Sequence, residues 1–277
     1  MIVHLVDGTY ELFRHFYGLR RFKKTDPPLG AVAGVLRTVA QMLAEGATHI
    51  GVATDHIIES FRNELWPHYK TGAGIEPVLR AQFIPLEESL AAMGVVVWPM
   101  IELEADDALA SAAFIAERDA RVEKVCIWTP DKDLAQCVVG ERVVQIDGRR
   151  KVIRGEKEVT EKFGVPHKYI PDYLALVGDA ADGYPGIAGY GPRGAAQLVK
   201  RYGRLEDVPL DVLGKDNRAS ALLFKRLATL TTDARLFSDV DELRWKGPTA
   251  SFASVAERVE DLRLLNKVND LERRVSD

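Results

Sequence analysis

Residues 178–203 read GDAADGYPGIAGYGPRGAAQLVKRYG, and the meaning of their glycines decides the fold. Gly189, Gly191 and Gly194 satisfy G-x-G-x-x-G, which taken literally wraps a dinucleotide pyrophosphate at a helix start. That device needs a strand before it and an acid about 20 residues later on a second strand. Here the apolar segment 171–177 ahead of the glycines reads as a helix, and a basic helix from about Pro192 follows them. A nicotinamide-dependent oxidoreductase is therefore the weaker reading. The glycines are expected to be bends between two helices, small enough for backbone N–H groups to approach a phosphate. Upstream, Asp179 and Asp182 lie three residues apart, at a spacing that aims both carboxylates at one spot.

Working outward, the first half alternates strand and helix signals. Apolar runs at 2–6, 48–54, 95–98, 124–129 and 143–147 read as strands, and 31–45, 77–93 and 104–118 carry helical spacing. This alternation predicts a parallel sheet covered by helices. It stops near residue 150, and from Pro171 the pattern is almost wholly helical, which puts a boundary at about 165.

Composition is that of an ordinary globular chain: 277 residues, 47% hydrophobic, 28% charged, with a net charge of −4. The opening MIVHLVDGTY lacks a basic leader, and no stretch reaches ~18 uninterrupted apolar residues, so neither a signal peptide nor a membrane partner is expected. Cys126 and Cys137 lack metal-ligand spacing, so a reducing cytoplasm is the expected location. Bulk charge argues against nucleic acid, and such a partner has to rest on local patches. One exists: between 186 and 226, eight Lys and Arg face four acids.

The acids carry the chemistry. Asp7, Asp55 and Asp131 stand at or just beyond strand ends, the edge where open parallel sheets bind ligands. With Glu104, Asp106, Asp107, Asp133, Asp179 and Asp182 they make nine candidates. Each alone has a plain structural explanation as a cap or turn former. Together their repulsion costs stability unless cations sit between them. Oxygen donors without a Cys/His set favour Mg²⁺ or Mn²⁺ over zinc. Their number suggests a pair of ions roughly 3.5–4 Å apart, as in phosphodiester hydrolysis.

Five motifs, VDGTYELFRHFYG, TDHIIESFRNELWPHYKTG, ELEADDALA, TPDKDLAQCV and GDAADGYPGIAGYGPRGAAQLVKRYG, occur in an order and spacing that resembles the 5′ nucleases. These are the bacterial and phage 5′–3′ exonuclease/flap endonuclease family, which includes the N-terminal domain of bacterial DNA polymerase I. The resemblance runs from about residue 1 to 240. It implies an α/β fold: a PIN-like, mostly parallel sheet nuclease domain (1–165) with a helical arch over about 65–90. A helical helix–three-turn–helix (H3TH) DNA-binding domain (166–277) follows.

The resemblance also assigns roles. Asp7, Asp55, Glu104, Asp106 and Asp107 match acids of a first metal site and its neighbours. Asp131 and Asp133 match a shared cluster, and Asp179 and Asp182 a second metal group. Arg62 and Lys70 match arch-base cations facing the scissile phosphate. Expected DNA contacts are Arg14, Lys23, Lys24, Arg80, Gly189, Gly191, Arg193, Lys200 and Arg201, with K⁺ as a candidate bridge at the H3TH glycines. The chain departs from the family in three places: no cation follows Lys70 until Arg80, Ala180–Ala181 replace hydroxyl residues, and Gly183 stands where Asn is common.

The expectation is thus a free-standing, monomeric, cytoplasmic (nucleoid-associated) enzyme. It would cleave DNA at 5′ flaps, nicks or 5′ ends of duplex with Mg²⁺ or Mn²⁺, an RNA–DNA hybrid being a further substrate. Two alternatives remain. A DNA-binding module without turnover gains nothing from acids facing phosphate. A PIN-type ribonuclease shares the acidic core but does not need the C-terminal helices.

Overall fold

The computed structural model describes residues 1–20 and 27–276. Six strands form one sheet: β1 (Ile2–Asp7), β2 (His49–Asp55), β3 (Val96–Met100), β4 (Lys124–Trp128), β5 (Val143–Asp147) and β6 (Val152–Arg154). The order is β3-β2-β1-β4-β5-β6, parallel throughout except for β6, which runs antiparallel to β5. β2 is buried along almost its whole length, as expected for a parallel strand covered on both faces. Helices α1 (Gly8–Arg20) and α2 (Gly30–Ala44) cover one face, and α6 (Ala105–Glu117) contributes to the apolar cluster on the other.

The strand order reverses at β1, whose neighbours are β2 and β4. Such a switch point opens a crevice at the carboxyl ends of the two central strands. Asp7 closes β1 at this crevice. Gly8 starts α1 there because a Cβ would lie 2.8 Å from the Val52 and Thr54 side chains, so only glycine lets the first turn pass β2.

Residues 61–92 differ from expectation. Instead of an arch, they form α3 (Phe61–Leu65), a turn-rich connection, then α4 (Pro77–Arg80) and α5 (Phe83–Ala92). The expected single helix 77–93 breaks because Pro85 tolerates only a first-turn position, so α5 begins at Phe83. Buried Gln82 fills the break, its Oε1 accepting from the Ala31 and Val32 amides at the start of α2. Leu79, Phe83, Leu86 and Leu90 are buried in the α2 core, so α4 and α5 are body rather than arch. Apolar area buried against α2 folds the segment down.

Beyond β6, α7 (Glu156–Phe163) leads into α8 (Ile170–Val177), α9 (Pro192–Tyr202), α10 (Leu210–Leu213) and α11 (Lys215–Ala228). Their core includes Leu174, Leu198, Leu205 and Phe224 and reaches Tyr69 and Ala135 of the sheet domain. The chain then returns. Trp245 donates its backbone amide to Thr48 and its indole N–H to Met93. Phe252 of α12 (Phe252–Arg258) and Val268 of α13 (Leu262–Ser276) join the α2 core. The last part of the stretch 166–277 is thus packed on the helices that cover the sheet. Among the described residues, no helix is long and apolar enough to cross a membrane.

Candidate metal centre and nucleic-acid interface

The switch-point crevice gathers the acids. Asp7 is 6% exposed; its Oδ1 accepts from the Tyr10 amide at 2.8 Å and its Oδ2 from the Thr129 hydroxyl at 3.0 Å. Asp55 accepts from the Ala105 amide at 2.8 Å. Burial is the main cause raising the Asp7 carboxyl to about 7, with Asp55 and Asp131 adding repulsion. Burial also raises Asp55, and it pushes Asp106 well above the ordinary carboxylate range, seconded by Asp131 and Asp7. Asp131 is exposed at the rim, its Oδ1 accepting from the Asp133 amide at 2.9 Å.

Across from these, Asp133, Asp179 and Asp182 each offer one oxygen within 4.8 Å of the others. Asp133 is 4% exposed, and among the described residues its Oδ1 has no hydrogen-bond partner. A buried carboxylate oxygen without a donor is costly unless a proton or cation meets it. Burial, then Asp131, Asp182 and Asp179, push Asp133 well above the ordinary range. Burial likewise raises Asp182 to about 6. An all-oxygen set with an unsatisfied buried member fits a hard divalent cation.

The 66–70 segment is zipped to this cluster. The Lys70 amide donates to the Asp182 carbonyl and the Trp66 indole to the Gly183 carbonyl, both at 3.0 Å. Gly183 has φ +81 and a Cβ there would lie 2.1 Å from the His68 carbonyl oxygen, which explains glycine in place of Asn. Lys70 Nζ is thereby held 2.7 Å from Glu104 Oε2 and 3.3 Å from Asp182 Oδ1. Burial works against its charge, but Glu104 and Asp182 outweigh it and hold the ammonium well above its usual pKa.

Three expected site residues have different roles. Arg62 is 1% exposed and grips Asp107 in a fork, Nη1 to Oδ2 at 2.7 Å and Nη2 to Oδ1 at 2.8 Å. Its Nε donates to the Leu227 carbonyl at 2.8 Å. A guanidinium so enclosed does not face a scissile phosphate; Arg62 ties α3 and α6 to the end of α11. Asp107 also accepts from the Thr231 and Glu104 amides, so four donors fill its lone pairs and none remains for a metal. Glu104 is equally filled by Ser60, Arg62, Tyr69 and Lys70. Ser60, Thr129 and Lys132, whose Nζ lies 2.8 Å from Asp179 Oδ2, were not singled out from sequence. Only the position of Thr129 at the end of a strand hinted at its role.

On the expected DNA side, Gly189 (φ +88) and the extended Gly191 are exposed, and an added Cβ would meet nothing at either. Gly191 is the residue before α9, whose first-turn amides lack helical acceptors. Arg193, Lys200 and Arg201 are exposed on α9, and Arg80 is exposed beside Gly72. Arg14 is bound to Glu11 on its own helix. Lys225 bridges Asp172 and Glu206, and Arg218 donates to the Val208 carbonyl, so part of the local positive excess holds the fold. Lys23 and Lys24 lie outside the described residues.

A switch-point carboxylate cluster beside glycine-bent helices is one arrangement shared by a class of nucleases. Residues 2–164 match the family described as 5′-3′ exonuclease, N-terminal resolvase-like domain. Residues 165–251 match 5′-3′ exonuclease, C-terminal SAM fold. A 5′-3′ exonuclease of Aquifex aeolicus is 30% identical over 98% of this chain and 95% of its own length. DNA polymerase I of Pseudomonas aeruginosa is 34% identical over 96% of this chain and 31% of its own length. The bacteriophage T5 5′-exonuclease, solved with divalent metal ions (zinc) bound, has the same fold, with a TM-score of 0.61 at 18% identity over 98% of both chains. A complex of that phage's flap endonuclease with DNA and metal ions gives 0.63 at 19% identity over 100% of both chains. The chain belongs to the 5′-3′ exonuclease family, and its chemistry is that of a nuclease.

Proposed function

We propose that this nuclease acts on DNA at 5′ flaps, nicks or 5′ ends of duplex, requires Mg²⁺ or Mn²⁺, and works as a monomer in the cytoplasm, at the nucleoid. Water adds across a phosphodiester, leaving a 5′-phosphate and a 3′-hydroxyl. The observation that carries this reading is the buried Asp133 oxygen, without a hydrogen-bond partner among the described residues, within the Asp133–Asp179–Asp182 cluster.

Asp133, Asp179 and Asp182 would hold one ion, and Asp7, Asp55, Asp106 and Asp131 a second. Ions so bound supply a water of lowered pKa and neutralise charge on the phosphate. The chain's own residues do the rest. Lys70 keeps a fixed positive charge beside Asp182 for the phosphate that enters the crevice. The exposed Gly189 and Gly191 and the amides of the first turn of α9 that follow Pro192 suit a DNA backbone phosphate, with K⁺ bridging, and Arg193, Lys200 and Arg201 extend that grip. An RNA strand in a hybrid presents the same phosphates.

A labelled 5′-flap duplex incubated with and without Mg²⁺, beside an Asp131→Asn variant, tests the reading. Metal-dependent cleavage by the wild type and its near-total loss in the variant, with duplex binding retained, is the expected result. Cleavage without metal, or equal cleavage by the variant, overturns it. Lys70→Ala cleaving as fast as wild type would remove Lys70 from the site.

A further inference from the structure

Resting on the metal reading above, we infer that Lys132 is a built-in counter-cation of the Asp133–Asp179–Asp182 cluster, displaced when a divalent ion binds there, and that it sets the cluster's affinity for that ion. Lys132 lies between two acids of the crevice, Asp131 and Asp133, at the start of the 3₁₀ turn Asp133–Cys137. Its stem crosses to the helical domain, where Nζ meets Asp179 Oδ2 at 2.8 Å. The other oxygen of Asp179 accepts from the Ala181 amide at 2.9 Å. The ammonium is thus the only charged partner of Asp179 among the described residues, and it supplies the positive charge the three carboxylates otherwise lack on that side.

An ammonium and a divalent cation on one carboxylate repel strongly in a buried setting. Binding of the ion and retention of the Lys132–Asp179 pair are therefore mutually opposed. The lysine has somewhere to go: its side chain is 32% exposed, and four methylenes allow the head to swing into solvent or onto a bound phosphate. Lys70 differs. Its head is fixed at two points, Glu104 and Asp182, and its backbone amide is bonded to the Asp182 carbonyl. Lys132 is consequently a positioning residue, acting on the reaction through the occupancy of the cluster.

Mn²⁺ titration of the full chain without DNA, followed by calorimetry and by the electron paramagnetic resonance of free Mn²⁺, tests this. Lys132→Met is expected to bind Mn²⁺ about tenfold more tightly than wild type, the size of factor that removing a competing charge produces. Its melting temperature in EDTA falls, and its gain on adding Mn²⁺ exceeds that of wild type. Lys132→Gln, which keeps a hydrogen-bond donor without the charge, shifts in the same direction should the methionine variant fold poorly. Lys132→Arg, with the charge kept, stays near wild type. Unchanged or weaker Mn²⁺ binding by both neutral variants, with wild-type binding intact, overturns the role of Lys132 alone. Absence of Mn²⁺ binding by the wild type overturns the metal reading as well.

Discussion

Two groups of acids lie within one crevice and differ in a single respect, how many donors they have. Asp107 and Glu104 are each met by four, including the buried Arg62 guanidinium, Ser60 and the Thr231 amide. Asp133 has an oxygen with none among the described residues, and its neighbours Asp179 and Asp182 depend on lysines that are a quarter to a third exposed. Both groups come from motifs that look equally catalytic in sequence. The satisfied pair is a fastening between the sheet domain and the end of α11. The trio that holds the unmet Asp133 oxygen is where an external cation gains most.

The same substitution should therefore do opposite things on the two sides. Asp107→Asn breaks the forked pair and leaves the buried Arg62 guanidinium with Glu104 as its carboxylate partner, and should cost about 3 kcal/mol in a urea titration. Asp133→Asn should be at least as stable as wild type in EDTA, while losing metal-dependent cleavage on the order of a thousandfold. Equal destabilisation by both would erase the distinction.

Gly183 carries the next largest effect, because it joins that trio to the Lys70 segment. Gly183→Ala places a Cβ against the His68 carbonyl at positive φ and should cost about 2 kcal/mol, with flap cleavage falling in step. Full activity with lowered stability would separate Lys70 from that contact.

The pH dependence sharpens the contrast further. Asp7 and Asp182 have folded-state values of about 7 and about 6, above the ordinary 3.8, so the folded chain holds protons that the unfolded chain has released. Stability is fully present below the unfolded value and is lost as pH rises through the folded ones. The metal-free melting temperature should fall by a few degrees from about pH 5 to about pH 8, and Mg²⁺ should restore it at the upper end. A melting temperature that rises over that window would mean the crevice carries no such strain.

The smallest effect belongs to the outer glycines. Gly189→Ala meets open space, so only the left-handed backbone is penalised, by about 1 kcal/mol. Duplex binding, read by fluorescence anisotropy, should weaken more than that stability loss suggests.

Much of the fold was legible from the chain itself. Strand–helix alternation predicted the parallel sheet, and helical patterns on both sides of the G-x-G-x-x-G made the dinucleotide reading the weaker one, as α8 and α9 bear out. Strand-end acids located the crevice, since a parallel sheet brings its carboxyl ends to one edge whatever the loops do. The segment 65–90 was not legible as body. Its arch followed from family likeness, whereas Leu79, Leu86 and Leu90 bury it against α2, a contact made by residues more than 30 positions away.

By itself, the sequence determined which residue types could do chemistry and which edge of the sheet would carry them, because periodicity and strand ends are local properties. Only the tertiary structure decided which acids remain available. Arg62 and Asp107 are 45 residues apart, and Lys132 and Asp179 are 47 apart, each pair joined by packing alone. Whether a carboxylate is a fastening or a ligand depends on the donors around it, and those donors arrive from distant parts of the chain.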